Sequence, residues 1–220
     1  MRVQVGTSGY SYKEWKGSFY PADLKADAML SHYASKLSTV EINNTFYRMP
    51  KESMLLGWAG QVPAGFTFVL KASQKITHYG RLKDVADSVA YFLKTATVLG
   101  ERLGPTLFQL PPNFKKDLPR LVDFLDLLPR NWRAAFEFRH ETWYDDDVYA
   151  ALKAKNVALV AAEEDDTPAH NVATADYGYL RLRKAAYTDA ELAAWAKYVK
   201  EQTWSDAFVF FKHEDEATGP

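Results

Sequence analysis

The chain has 220 residues, 47% of them apolar, with 27 Lys and Arg against 28 Asp and Glu and no cysteine. That length suits one α/β barrel or two small domains, and a net charge of −1 argues against a protein that coats nucleic acid through its bulk field. Without cysteine there are no disulfides and no thiolate metal sites.

Apolar runs and period-two alternation predict strands at Val3–Ser8, Thr39–Asn43, Phe66–Lys71, Thr106–Leu110, Ala134–Arg139, Val157–Ala161, Tyr179–Arg183 and Ala207–Lys212. Apolar residues three and four apart predict helices between them at Lys25–Leu37, Lys51–Gly60, Asp84–Leu99, Asp117–Leu128, Asp146–Lys155 and Asp189–Glu201. Several open on an Asp suited to capping. This alternation matches a single (β/α)8 barrel over residues 1–220 better than a doubly wound sheet, because no glycine-rich phosphate loop follows the first strand. No linker or low-complexity tract divides it.

Two links depart from the barrel plan. Glu163–Asp176 carries the run Glu163, Glu164, Asp165 and Asp166 and then Pro168, with no helical pattern, so a loop is expected between strands six and seven. The sequence stops at Gly219-Pro220, where an eighth helix should begin, so most of the closing helix is expected to be missing and the seam bare or otherwise covered. Strand-like VQVGTSGY follows the first two residues with no signal-peptide pattern, and no apolar segment is long enough to cross a membrane. The expectation is a cytoplasmic protein.

Alternation also assigns faces. Val40 and Ile42 suit the helix-facing side of the second strand, which turns Glu41 and Asn43 inward; Phe66, Phe68 and Leu70 do the same for Lys71. Phe136 and Phe138 leave Glu137 and Arg139 inside, while Leu180 and Leu182 leave Tyr179, Arg181 and Arg183 inside. An isolated inward charge is costly, so these groups are expected to meet near the barrel mouth. Cations outnumber carboxylates there, which favours an anionic ligand.

The motifs keep open alternatives. In GTSGYSYKEWKGSFYP, Thr7 and Ser8 are candidate ligand donors and Tyr10, Tyr12 and Trp15 candidate walls, unless the loop simply plugs the mouth. In VEINNTFYRMP, Glu41 is a candidate general base or metal ligand and Asn43 a substrate-orienting group. The alternative is an internal ion pair of Glu41 with Lys71 or Arg139; Phe46, Tyr47 and Arg48 are read as packing. Lys71, desolvated beside other cations, would titrate low enough to act as a base; His78 follows it in the loop, and Gln109 stands at the pocket wall. EFRHETWY delivers Glu137, Arg139, His140 and Trp143, the last to stack on a ring or cover the site. Glu41 and Glu137 either flank a substrate as in a glycosidase, share a divalent metal, or are bridged by Arg139 in a structural network. Arg181, Arg183 and Lys212 suit a phosphate end, unless the arginines neutralise Glu163–Asp166. Lys212-His213-Glu214-Asp215 is a further candidate metal-binding run.

Together GTSGYSYKEW, FYP, TVEINNTFYR, KASQKITH, LGPTLFQLPPNF, EFRHETW and the TAxxxYLRL stretch at Thr174–Leu182 resemble the YecE-like proteins, a domain of unknown function, over nearly the whole chain. The resemblance implies a TIM-barrel-like fold with a pocket at its mouth, to which Glu41, Asn43, Lys71, Gln109, Glu137, Arg139, His140 and Arg181 correspond by motif. It implies no established reaction. Where many members read Arg-Leu-His-Gly after the seventh strand, this chain has Arg181-Leu182-Arg183-Lys184, and where they carry an Asn pair after the eighth it has Lys212-His213. Both departures add positive charge at the mouth.

The expectation is an enzyme acting on a small anionic ligand, phosphorylated or nucleotide-like, with Glu41, Glu137, Lys71 and His140 as candidate catalytic groups. Candidate ligand-binding groups are Thr7, Ser8, Tyr10, Trp15, Asn43, His78, Gln109, Arg139, Trp143, Arg181, Arg183 and Lys212. A divalent metal is the one cofactor considered, and its ligands are unassigned. Alternatives are a metal-dependent phosphodiesterase or nuclease, a glycoside hydrolase, and a non-catalytic binding or scaffold protein with a structural ion network. The net charge does not favour nucleic acid as a partner, and the oligomeric state is open.

Overall fold

A computed structural model describes residues 1–212, 217, 219 and 220. All the predicted strands form, with small shifts at their ends: β1 (Arg2–Ser8), β2 (Thr39–Ile42), β3 (Thr67–Leu70), β4 (Thr106–Gln109), β5 (Ala134–Glu137), β6 (Ala158–Glu163), β7 (Tyr177–Leu182) and β8 (Asp206–Phe211). They pair in parallel in the order β3-β2-β1-β8-β7-β6-β5-β4. The two ends of that sheet approach each other through isolated bridges, Phe68 with Leu103 and Lys71 with Leu107, so the barrel is nearly closed.

The helices are α1 (Met29–Ala34), α2 (Asn44–Tyr47), α3 (Glu52–Ala59), α4 (Ala86–Ala96), α5 (Leu118–Asp126), α6 (Asp146–Ala154) and α7 (Asp189–Lys200). Two are anchored by caps legible in the sequence: the Asp117 carboxylate accepts from the Arg120 amide, and Thr188 forms a capping box with Glu191. The first helix is shorter than Lys25–Leu37; a 3-10 turn at Ala26–Ala28 precedes it, and the Ser35 hydroxyl donates to the His32 carbonyl at 2.6 Å where the helix stops. Elements that were not expected are α2, a π-helical turn at Lys75–Tyr79, and short 3-10 turns at Lys13–Trp15 and Glu141–Trp143.

No helix is found between β6 and β7, as the charge run suggested. That loop is tied back by Thr174, whose hydroxyl accepts from the Leu159 amide and donates to the Val157 carbonyl, both at 2.7 Å. Outward side chains such as Val40, Phe68, Phe108 and Phe136 pack under the helices, while Val69, Leu107, Val160, Tyr179 and Phe208 fill the barrel. On the outer side of β1, Val3 and Val5 remain 47% and 41% exposed, which leaves part of the seam bare among the described residues. No described helix is long and apolar enough to cross a membrane.

Candidate functional site

Above the apolar filling, β2, β5 and β7 each bring an inward charge to one level. The Arg181 guanidinium lies between two carboxylates: Nη2 donates to Glu41 Oε1 at 2.8 Å, Nε to Glu41 Oε2 at 3.0 Å, and Nη1 to Glu137 Oε2 at 2.5 Å. The Tyr179 hydroxyl donates to Glu41 Oε2 at 2.6 Å. Glu137 Oε1 accepts from Gln109 Nε2 at 2.8 Å and from Arg139 Nε at 3.2 Å, and Gln109 Oε1 accepts from Lys71 Nζ at 2.9 Å. One continuous network therefore runs from Glu41 to Lys71.

The electrostatics follow from who is paired. Burial, the largest single influence, would raise both carboxyls, but Arg181 together with the Tyr179 hydroxyl at Glu41, and with Arg139 and Arg183 at Glu137, holds each below its ordinary value, Glu137 at about 2. Lys71 has no carboxylate within ion-pairing distance among the described residues, and burial, then the Arg181 charge, push it down to about 8. Burial and the nearby Lys71 push His78 down to about 4, so its ring is neutral at pH 7. Arg183 is likewise pushed down by burial and by Arg181.

Over this network opens a cavity of about 480 Å³. Five cations line it, Lys71, Arg139, Arg181, Arg183 and Lys212, and among the described residues no Asp or Glu does. Asn43, Gln109 and His78 add neutral polar groups, and Tyr12, Phe46 and Tyr47 supply aromatic walls. Lys71 Nζ lies 4.1 Å from the centroid of the Phe46 ring. At the rim, Arg183 pairs with Glu164 at 2.5 Å, and Arg139 reaches the same carboxylate at 3.9 Å. The alternative reading of Arg183 as a neutraliser of the acidic run is thus partly realised.

Several expected site residues lie elsewhere. Trp15 and Trp143 are fully buried: Trp15 packs on Tyr12 and Phe19, and Trp143 stacks on Phe138 at 4.8 Å while its Nε1 donates to the Phe114 carbonyl at 2.6 Å. Neither presents a face to a ligand. Thr7 is buried against Tyr33, whose hydroxyl accepts from the Thr7 amide at 2.8 Å, and Ser8 is buried in register with Glu41. Their donors are spent inside the fold or covered. Tyr10 lines a neighbouring hollow with Tyr12, Asn43 and Tyr47. His140 caps the 3-10 turn Glu141–Trp143, its Nδ1 accepting from the Thr142 amide at 3.3 Å, and it does not line the cavity.

Two further corrections concern partners. The carboxylates do not flank an open gap as a glycosidase pair would, because the Arg181 guanidinium occupies it. The group joining them is Arg181; Arg139 reaches only Glu137 of the two. Phe46 and Tyr47, read as packing, line the cavity, and Tyr179 was missed as a partner of Glu41. Its inward position was legible, but the register that sets it against a strand far away in sequence was not. Among the described residues no group of three or more His, Asp or Glu is placed to hold a metal ion. The run His213-Glu214-Asp215 lies outside the described residues.

Comparison with known proteins adds the following. The family model described as "Protein of unknown function DUF72" matches residues 4–220. The UPF0759 protein YecE of Escherichia coli K12 is 35% identical over 116 residues, which are 52% of this chain and 43% of that protein, so the match spans less than half of the relative. The UPF0759 protein YunF of Bacillus subtilis is 23% identical across 96% of this chain and 88% of its own. A solved DUF72 family protein from Thermotoga maritima superposes with a TM-score of 0.86 at 28% identity, covering 99% of this chain and 95% of its own. Another, from Enterococcus faecalis, reaches 0.76 at 20% identity over 96% of this chain and 90% of its own, a likeness of fold alone.

Proposed function

The chain belongs to the DUF72 family, whose description assigns no reaction, and we propose that it binds and chemically acts on a small anionic compound at the mouth of the barrel. The observation that carries this reading is the lining of the cavity, five cations and no acid among the described residues, over two buried carboxylates that those cations outnumber. A low-dielectric hollow with surplus positive charge concentrates anions. Arg139 and Arg183 offer planar forks suited to a phosphate or carboxylate. Arg183 Nε is buried with no hydrogen-bond partner among the described residues. Its rim partner Glu164 is 51% exposed, so an incoming anion displaces it at little cost.

Glu41 and Glu137 serve as the fixed counter-charges of Arg181. Held ionised by that pairing, they retain no proton to give near neutral pH. Proton chemistry at this mouth falls to Lys71, the cavity cation brought toward neutrality by burial and the Arg181 charge.

The test is a thermal-shift series with inorganic phosphate, phosphosugars, nucleotides and small carboxylates against neutral sugars. A bound anion at about 100 times its dissociation constant adds roughly 2.7 kcal/mol, and that gain should shrink in Arg139→Ala and in Arg183→Ala. If no anion raises the melting temperature, or if the rise is unchanged in both variants, the reading is wrong.

A further inference from the structure

We propose that Lys71 is the covalent centre of this pocket, its amine condensing with the carbonyl of a small oxo acid or phosphorylated aldehyde or ketone whose anionic group sits on Arg139 and Arg183. This deepens the anion-pocket reading and rests on it.

The placement of Lys71 is unusual for a structural lysine. It follows β3 and is only 9% exposed, yet it lines the cavity. A lysine buried for stability is ordinarily paired with a carboxylate, because an unpaired buried ammonium is costly. Among the described residues Nζ donates only to the neutral side-chain oxygen of Gln109, while Arg181 pairs with both nearby acids. The charged groups that act on it are Glu41 from β2, Glu137 and Arg139 from β5 and its exit, and Arg181 from β7. The two acids favour the ammonium, but burial and the arginines prevail. A lysine near 8 in place of 10.5 holds roughly three hundredfold more free amine at neutral pH.

Reactivity also needs an aimed nucleophile and a held substrate. Gln109 and the Phe46 ring fix the direction of Nζ, and the arginine forks share the cavity with it. A compound carrying both an anionic group and a carbonyl fits both demands. The amine nitrogen adds to the carbonyl carbon, and the carbonyl oxygen takes up a proton. Loss of that oxygen as water leaves an iminium on Nζ. One lysine ammonium and one carbonyl thus give one iminium and one water, with charge conserved and no oxidant or reductant consumed. The proton that the ammonium loses is the one the carbonyl oxygen takes up. The iminium draws electrons from the adjacent carbon, so the chemistry it serves is the making or breaking of a bond at that carbon.

The experiment uses the wild-type chain with pyruvate, or with glyceraldehyde 3-phosphate, in the presence of cyanoborohydride, followed by peptide mass mapping. Reduction of the iminium leaves a stable secondary amine, expected on Lys71 at least about tenfold faster than on exposed Lys75 and slowed by inorganic phosphate. Lys71→Arg should keep the phosphate-induced thermal shift and lose the adduct. If Lys71 is labelled no faster than Lys75 while phosphate still stabilises the protein, the covalent role fails and the anion pocket stands. If phosphate gives no stabilisation and Lys71 stays unlabelled, both fail.

Discussion

Both ends of this barrel carry an ion cluster, and they are built in opposite senses. At the floor, Asp206 sits between two cations, Arg2 at 2.8 Å and Arg133 at 2.8 Å, whose side chains are 64% and 38% exposed. Water solvates the excess positive charge there, so nothing further is required. At the mouth, Arg181 sits between two acids and all three are buried, while Lys71, Arg139 and Arg183 stand with it around a cavity that no described acid lines. An ion cluster by itself does not mark a site. What marks one is charge left over after internal pairing, in a place where water screens it poorly.

That contrast can be broken from either end. The largest effect is expected from Arg181→Ala, which leaves Glu41 and Glu137 buried without their shared partner and should cost about 3 to 5 kcal/mol in chemical denaturation. Glu137→Gln should cost about 2 kcal/mol near pH 7. It also tests the acid limb. Because Glu137 is held at about 2 in the folded state against an ordinary 4.5, its stabilisation is present above pH 4.5 and lost as pH falls toward 2. A wild-type profile with no such fall, or a Gln variant that retains it, would remove Glu137 as its source. Arg139→Ala should leave the fold nearly intact and weaken anion binding about tenfold, measurable by calorimetry with the anion found by thermal shift. Asp206→Asn at the floor should cost only about 1 kcal/mol and leave anion binding unchanged. If it abolished binding, the two ends would not be independent.

Much of the frame was readable because it depends on local pattern. Val40 and Ile42 outward with Glu41 inward, or Leu180 and Leu182 outward with Arg181 inward, follow from alternation alone. The π-helical turn at Lys75–Tyr79 fits neither a period of 2 nor one of 3.6, so no periodic reading picks it out. Trp143 illustrates a different gap. A tryptophan in a loop after a strand reads as a ligand wall, and only the placement of Phe138 and Phe114 shows that the ring is fully used inside. The central arginine was also misplaced, since choosing between Arg139 and Arg181 requires how far each strand stands around the ring. Arg139 lies past the end of β5, at the rim, whereas Arg181 lies within β7 and reaches both acids.

The circumference of the barrel is not uniformly bonded. β1 and β8 run in register from Arg2 with Asp206 to Thr7 with Phe211, while β3 and β4 meet only through isolated bridges. A cylinder opens at its sparsest joint, which here is the one crossed by the hydrogen bond from Lys71 to Gln109. Any molecule gripping both residues acts as a clasp across that joint, so filling the mouth and fastening the wall are one event. Amide exchange along β3 and β4 would then report how often the pocket is occupied, through a slowing that the far side of the barrel does not share.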